Sequence, residues 1–224
     1  FMSSAFPRDA SQFILRRVVL SDFEENSFVL ARKDRTDCIV VDPGIFPSEL
    51  IVQIERLGVK PIAILITHGH WDHIGGIDDL KRRWPDVEIY VGVNELSKLT
   101  DSMGNLSEFF GVPQRVEASA KTLRDGETFS VAGLDFVALE IPGHSSGHMV
   151  FLTHIDDSDV VFCGDVVFKG SIGRTDFPDS SPSIFIDGIR KKLLVLDDGV
   201  VLFPGHGPET TVGYEKRHNP YLRA

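Results

Sequence analysis

Apolar positions fall along the chain in short blocks whose period alternates between that of a strand and that of a helix. Phe13–Leu20, Asn26–Arg32 and Asp37–Val41 are continuous or alternating apolar runs separated by polar turns such as Asp34-Arg-Thr, and they predict a β-meander. Asp42-Pro-Gly44 ends the third run. A helix is expected from about Pro47, with Leu50, Ile54 and Leu57 on one face and Gly58 as its stop. Residues 62–66 read as a buried strand, Gly76–Trp84 as a second helix ending before Pro85, and Val87–Val91 as another strand. From Asn94 to Val112 the periodicity is weak, which predicts helical turns or a lid over a site, with the Phe109-Phe110 pair in the core or, as the lesser alternative, lining a pocket. Strand character returns from Thr122 to Ile141, broken by turns at Arg124-Asp-Gly-Glu and Ala132-Gly, and continues in Met149–Thr153 and Val160–Cys163. Ser183–Leu196 is amphipathic, with Phe185, Ile189, Leu193 and Leu196 at helical spacing opposite Arg190, Lys191 and Lys192. Val200–Phe203 is a last buried strand, and the tail 208–224 predicts a terminal helix.

Two strand-rich halves, each followed by helices, predict an α/β protein built as a four-layered αββα sandwich. No short-period repeat, linker or low-complexity segment divides the 224 residues, so one domain, 1–224, is expected. Phe1 before Met2 reads as a residue left over from cloning and is set aside.

Composition narrows the function without naming it. Hydrophobic content of 42% and charged content of 25% are those of an ordinary globular chain. A net charge of −10, with no basic run interleaved with aromatics, argues against nucleic acid as a partner. No apolar run approaches the ~20 residues needed to span a bilayer, and no secretory signal pattern opens the chain. Cys38 and Cys163 each lie inside an apolar strand, which predicts inert buried thiols and a reducing, cytoplasmic setting.

The chemistry concentrates just after the strand at 62–66. Thr67-His-Gly-His-Trp-Asp-His73 supplies His68, His70, Asp72 and His73 within six residues, and imidazole and carboxylate are the ligands of borderline divalent metals. His68 and His70 can face the same way from an extended loop, whereas the adjacent Asp72 and His73 must diverge, which suits two neighbouring ions. Three further strand ends add Gly143-His144, Gly164-Asp165 and Gly205-His206, each beside a glycine that lets backbone come close. Neither cysteine lies in these motifs.

Thr67-His-Gly-His-Trp-Asp-His73, with His144, Asp165 and His206 at these intervals, resembles the metallo-β-lactamase superfamily over nearly the full chain. The resemblance implies that His68, His70 and His144 hold one metal, that Asp72, His73 and His206 hold a second, and that Asp165 bridges them. Two divalent ions, zinc with iron or manganese as alternatives, are then the expected cofactors. A water shared by two cations loses a proton near neutral pH and becomes a nucleophile, which implies a metal-dependent hydrolase with Asp72 in the catalytic set.

The stretch Val167-Phe-Lys-Gly-Ser-Ile-Gly-Arg-Thr-Asp-Phe-Pro178 is similar to the segment after the bridging aspartate in short glyoxalase II-like proteins, and Pro204-Gly-His-Gly with Glu215 and Asn219-Pro220 fits the same branch. Such proteins resemble hydroxyacylglutathione hydrolases, which cleave S-D-lactoylglutathione. A small thioester, such as a glutathione conjugate, is the substrate class this implies, with Arg174 where the family has a basic residue contacting glutathione. Asp176 stands where that family has a tyrosine, and the family's helical C-terminal domain has no counterpart in these residues. Persulfide dioxygenases, which use one iron, share the Gly-Arg-Thr-Asp-Phe stretch, and a non-catalytic metal or redox module is a third reading. Lactonase and β-lactamase readings gain nothing from residues 167–178. His148 is expected beside the ligands or in a structural role, His154 exposed at a strand end, His218 in the tail, and Trp71 packed beneath the loop.

Overall fold

A computed structural model describes residues 12–223, and Phe1 and Met2 lie outside them. Fourteen strands and five α-helices follow in the order β1 (Phe13–Leu20), β2 (Glu25–Arg32), β3 (Asp37–Val41), α1 (Ser48–Leu57), β4 (Lys60–Ile66), α2 (Trp71–Ile74), α3 (Ile77–Arg83), β5 (Glu88–Gly92) and β6 (Lys121–Leu123). The second half runs β7 (Glu127–Val131), β8 (Leu134–Glu140), β9 (Met149–Ile155), β10 (Ser158–Gly164), β11 (Val167–Phe168), β12 (Ser171–Ile172), α4 (Pro182–Lys192), β13 (Val201–Pro204), β14 (Thr210–Thr211) and α5 (Val212–His218). One sheet has the order β1-β2-β3-β4-β5-β6 and the other β14-β13-β10-β9-β8-β7.

The apolar runs are continuous because both faces of the central strands are covered. In β2, β3 and β4, residues Phe28, Leu30, Ile39, Val41, Ala63 and Leu65 point to one side and meet Phe136, Phe151 and Phe162 of the other sheet. Their alternates, Val29, Ala31, Cys38, Val40, Ile64 and Ile66, meet Leu50 and Ile54 of α1 and Ile77 and Leu80 of α3. On the far side, Val150, Val161 and Cys163 are covered by Phe185, Ile189 and Leu193, which lie on or just past α4. The result is the four-layered αββα sandwich. Cys38 and Cys163 are free and buried, and burial pushes the Cys38 thiol up to about 12.

Several boundaries differ from those the sequence predicts. The expected helix 183–196 gives up its regular turns after Lys192: the amides of Leu193 and Leu194 both bond to the Ile189 carbonyl, although Leu193 stays buried. The run 122–141 crosses between sheets, since β6 completes the first and β7 opens the second. Residues 94–112 do form short helical turns, Leu96–Leu99 and Ser107–Phe110. Phe109 and Phe110, expected in the core, are instead 63% and 56% exposed. The turn ends at Gly111, in left-handed conformation, which leaves both rings on the outside.

Parallel pairing sets up the site. β3 and β4 run parallel, as do β10 and β13, so the residues after each pair emerge side by side at one edge of the sandwich. β8 runs in the same direction as β10, with antiparallel β9 between them, and so exits at that edge too.

Gly143 (φ +139°) passes so close to α4 that a Cβ there would lie 2.2 Å from Phe185 Cβ. Phe185→Ala is therefore expected to lower unfolding stability by about 3–5 kcal/mol. Denaturant midpoints measure this, and a loss below about 1 kcal/mol would show that the α4 face contributes little.

Candidate metal centre

The chain leaves β4 at Thr67 and delivers His68 and His70 from an extended loop. It then turns at once into α2, a single helical turn where the sequence alone predicts a loop. This turn places Asp72 and His73 in divergent directions. His144 follows β8, Asp165 follows β10, and His206 follows β13. All seven residues singled out in the sequence are thus brought together. His68 Nε2 and His144 Nε2 lie 3.0 Å and 3.1 Å from His70 Nδ1. Beside them, Asp72 Oδ2 is 3.7 Å from His73 Nε2 and 3.4 Å from His206 Nε2. Asp165 stands between the groups, with Oδ1 3.4 Å from His73 Nε2 and Oδ2 3.6 Å from His144 Nε2 and 3.7 Å from His206 Nε2.

Whether these residues suit a cation follows from where the other ring nitrogens go. Thr67 Oγ1 donates to Asp42 Oδ2 (2.6 Å), so it accepts from His68 Nδ1 at 3.1 Å. His73 Nδ1 donates to Asp42 Oδ2 (2.9 Å), His144 Nδ1 to the Arg174 carbonyl (2.8 Å) and His206 Nδ1 to the Phe23 carbonyl (3.0 Å). These partners assign the proton to Nδ1 in four rings and leave four Nε2 lone pairs aimed inward. His70 is reversed, with Nδ1 inward and its buried Nε2 without a partner. Lone pairs converging at about 3 Å repel one another unless a cation lies among them, so the donor set fits one. His68, His70 and His144 form one such group, and Asp72, His73 and His206 form another.

Electrostatics favour the neutral ring at some of these histidines and the charged ring at others. Burial holds His68, His70 and His148 well below the usual imidazole range, in the neutral form that can donate a lone pair. Burial would do the same to His73, but Asp72 and Asp165 outweigh it and push His73 upward. Burial likewise opposes the Asp165 charge, yet His73, His206 and His144 hold that carboxyl well below the carboxylate range.

Several residues that build the centre escaped the sequence reading. Asp42, in left-handed conformation (φ +47°), accepts from the Thr67 amide (2.8 Å) as well as from Thr67 Oγ1 and His73. Its position at the end of β3, beside the end of β4, is the signal that could have found it. Glu95 is fully buried and ties two ligand loops together: Oε2 accepts from the Gly69 amide (2.7 Å), and Oε1 from Ser145 Oγ and the Gly147 amide (2.6 Å each). Lys98 balances it at 3.4 Å and also bonds Ser145 and Asp179. No spacing in the sequence announces that brace. The segment 94–112, expected as turns or a lid, begins underneath the site. His148 accepts the Asp165 amide through Nε2 (3.1 Å) and stacks on His68. His154 is exposed at its strand end, Trp71 is buried, and His218 closes α5.

Arg174 contributes its carbonyl to His144, and its guanidinium is held by its neighbours. It closes on Asp176 through Nε (2.6 Å) and Nη2 (2.8 Å) and lies over the Phe177 ring. Glu215 and Asn219, noted in the tail, pin the ribbon β11–β12 from behind. Glu215 accepts from the Gly170 amide (3.1 Å), and Asn219 donates to the Ser171 carbonyl (2.9 Å).

This arrangement defines a class. The sequence matches the metallo-beta-lactamase superfamily over residues 20–206, and the chain belongs to that superfamily. Among its relatives is hydroxyacylglutathione hydrolase GloC of Haemophilus influenzae, 38% identical over 211 residues that cover 92% of this chain and 97% of the relative. Its fold is similar to the crystal structure of the BLEG-1 B3 metallo-beta-lactamase, with TM-score 0.87, 32% identity, and coverage of 94% of this chain and 100% of that one. It is also similar to TTHA1623 in a di-iron-bound form, with TM-score 0.79, 31% identity, and coverage of 92% and 100%.

Two substitutions test the ligand geometry. Asp72→Ala is expected to lose one of two bound metals with the fold intact; elemental analysis beside circular dichroism checks this, and two retained metals would exclude Asp72 as a ligand. Asp42→Ala leaves His73 Nδ1 without its acceptor and should weaken metal binding by about 10- to 100-fold in a chelator competition.

Proposed function

We propose that the protein is a dinuclear metal-dependent thioesterase of glyoxalase II type, acting on S-D-lactoylglutathione or a related small thioester. The observation that carries this reading is the pair of adjacent ligand groups with Asp165 between them, partly open to solvent at Asp72 and His206. Likeness to GloC along nearly the whole chain and the segment 167–178 support the choice of thioester over lactam. Two divalent ions would supply an ionised water near neutral pH and polarise the thioester carbonyl.

The chain's own residues do the rest. His68, His70 and His144 would hold one cation, and Asp72, His73 and His206 the other, with every imidazole but that of His70 fixed by its outer hydrogen bond. Asp165, held by the His148 contact to its amide, would span both. In the reaction a C–O bond forms at the carbonyl, the C–S bond breaks, and the thiolate leaves with the electron pair and takes a proton from water. Buried Cys38 and Cys163 lie in the core and offer no nucleophile. The full second ligand set favours two metals over the mono-iron dioxygenase reading. Zinc is our first choice of metal, and the di-iron relative keeps iron in view. No helix is long and apolar enough to cross a membrane among the described residues, and two free buried thiols fit a reducing compartment such as the cytoplasm.

Hydrolysis of S-D-lactoylglutathione by the purified protein, with metals counted on the same sample, tests the proposal. Turnover with about two metals per chain is expected. One iron per chain, with oxygen uptake on glutathione persulfide, would overturn it.

A further inference from the structure

The turn that presents His206 leaves the second sheet, yet it is held by a residue of the first sheet that ligates nothing itself. Asn26, the second residue of β2, is buried. Its main-chain amide donates to the Gly205 carbonyl (2.6 Å), and its side-chain Nδ2 donates to the carbonyls of Pro204 (2.9 Å) and Gly207 (2.8 Å). One residue thus takes three of the four carbonyls of 204–207. The two carbonyls also fix which end of the side-chain amide faces them, since the reversed amide would set oxygen against oxygen. An antiparallel bridge pairs Glu25 with His206 alongside. The turn has little slack, because a Cβ at Gly205 would collide with Asp165 Oδ1 and with the His73 ring.

We propose that Asn26 is a positioning residue for the second ion: it sets how tightly Asp72, His73 and His206 hold a divalent cation and leaves the group of His68, His70 and His144 unaffected. This rests on the dinuclear reading above. Three observations carry it. The His206 side chain is 27% exposed, against 17% for Asp72 and 11% for Asp165, so packing alone does not hold its ring. The ring's outer bond goes to the Phe23 carbonyl, three residues before Asn26 in the same hairpin, so ring and turn take their position from one piece of backbone. That hairpin belongs to the sheet that also delivers Asp72 and His73, and the clamp therefore sets the spacing across which this ligand group closes. His144 is held separately, through the Arg174 carbonyl and the Glu95 bonds to Ser145 and Gly147, so a change at Asn26 has no direct route to it.

The test measures zinc affinities of the full chain by chelator competition, with the second ion defined as the one whose affinity falls in His206→Ala. Asn26→Ala should weaken the second ion by about tenfold or more and the first by less than about twofold. Asn26→Ser is smaller and keeps one donor, so its loss should fall between wild type and Asn26→Ala; it also carries the test should Asn26→Ala not fold. In a His206→Ala background neither change should cost the second ion anything further, because no ring remains to be placed. In the zinc-loaded wild type the His206 Nδ1 proton should give a slowly exchanging NMR resonance, and exchange should quicken in Asn26→Ser. Equal weakening of both ions, or the same loss with and without His206, would reduce Asn26 to a support of the fold and overturn the proposal. A single zinc per wild-type chain would overturn the dinuclear reading, whereas an identical His206 resonance in wild type and Asn26→Ser would overturn the clamp, so the two failures are told apart.

Discussion

The structure depends on where five imidazole rings send the nitrogen that does not face the centre. A buried N–H without an acceptor is costly, and a ring free to flip would present the wrong nitrogen. Asp42, Thr67 and the carbonyls of Phe23 and Arg174 take those protons in four of the five rings. The four acceptors come from three pieces of the fold: the β3–β4 edge, the first hairpin and the segment after β12. The inward lone pairs are therefore set by backbone that the sandwich has already fixed. Metal ligation comes at the end of that chain of causes.

The sandwich provides a dry platform for this. Strands buried on both faces leave little freedom in register, and parallel neighbours bring their last residues to one edge. Many of the polar groups buried at that edge are held by partners. Glu95 exemplifies the condition, because a fully buried carboxylate is tolerable here through two amides, one hydroxyl and the Lys98 ammonium. In satisfying itself it joins the loop of His68 and His70 to that of His144.

What could be read in the sequence follows the range of each interaction. Strands with continuous apolar runs and helices with a clean stripe were legible, because periodicity is local. The seven ligand residues were legible because each sits at a strand end beside glycine or within one dense motif. Glu95 and Lys98 were not, since the loops they tie together lie far away in sequence and a single carboxylate or lysine carries no pattern, and Asp42 offered only its place at a strand end. Phe109 and Phe110 misled for the opposite reason. Hydrophobicity alone assigned them to the core, whereas a turn closed by Gly111 holds them outside. Arg174 is paired through its guanidinium with Asp176, two residues on, a contact its place in the motif did not announce.

The brace at Glu95 has a consequence for how the protein is made. The first sheet delivers His68, His70, Asp72 and His73, and the second delivers His144, Asp165 and His206, so neither half carries either ligand group whole. On a ribosome, His206 emerges long after the first sheet can pair. A complete ligand group therefore exists only once both sheets have closed on each other in the correct register.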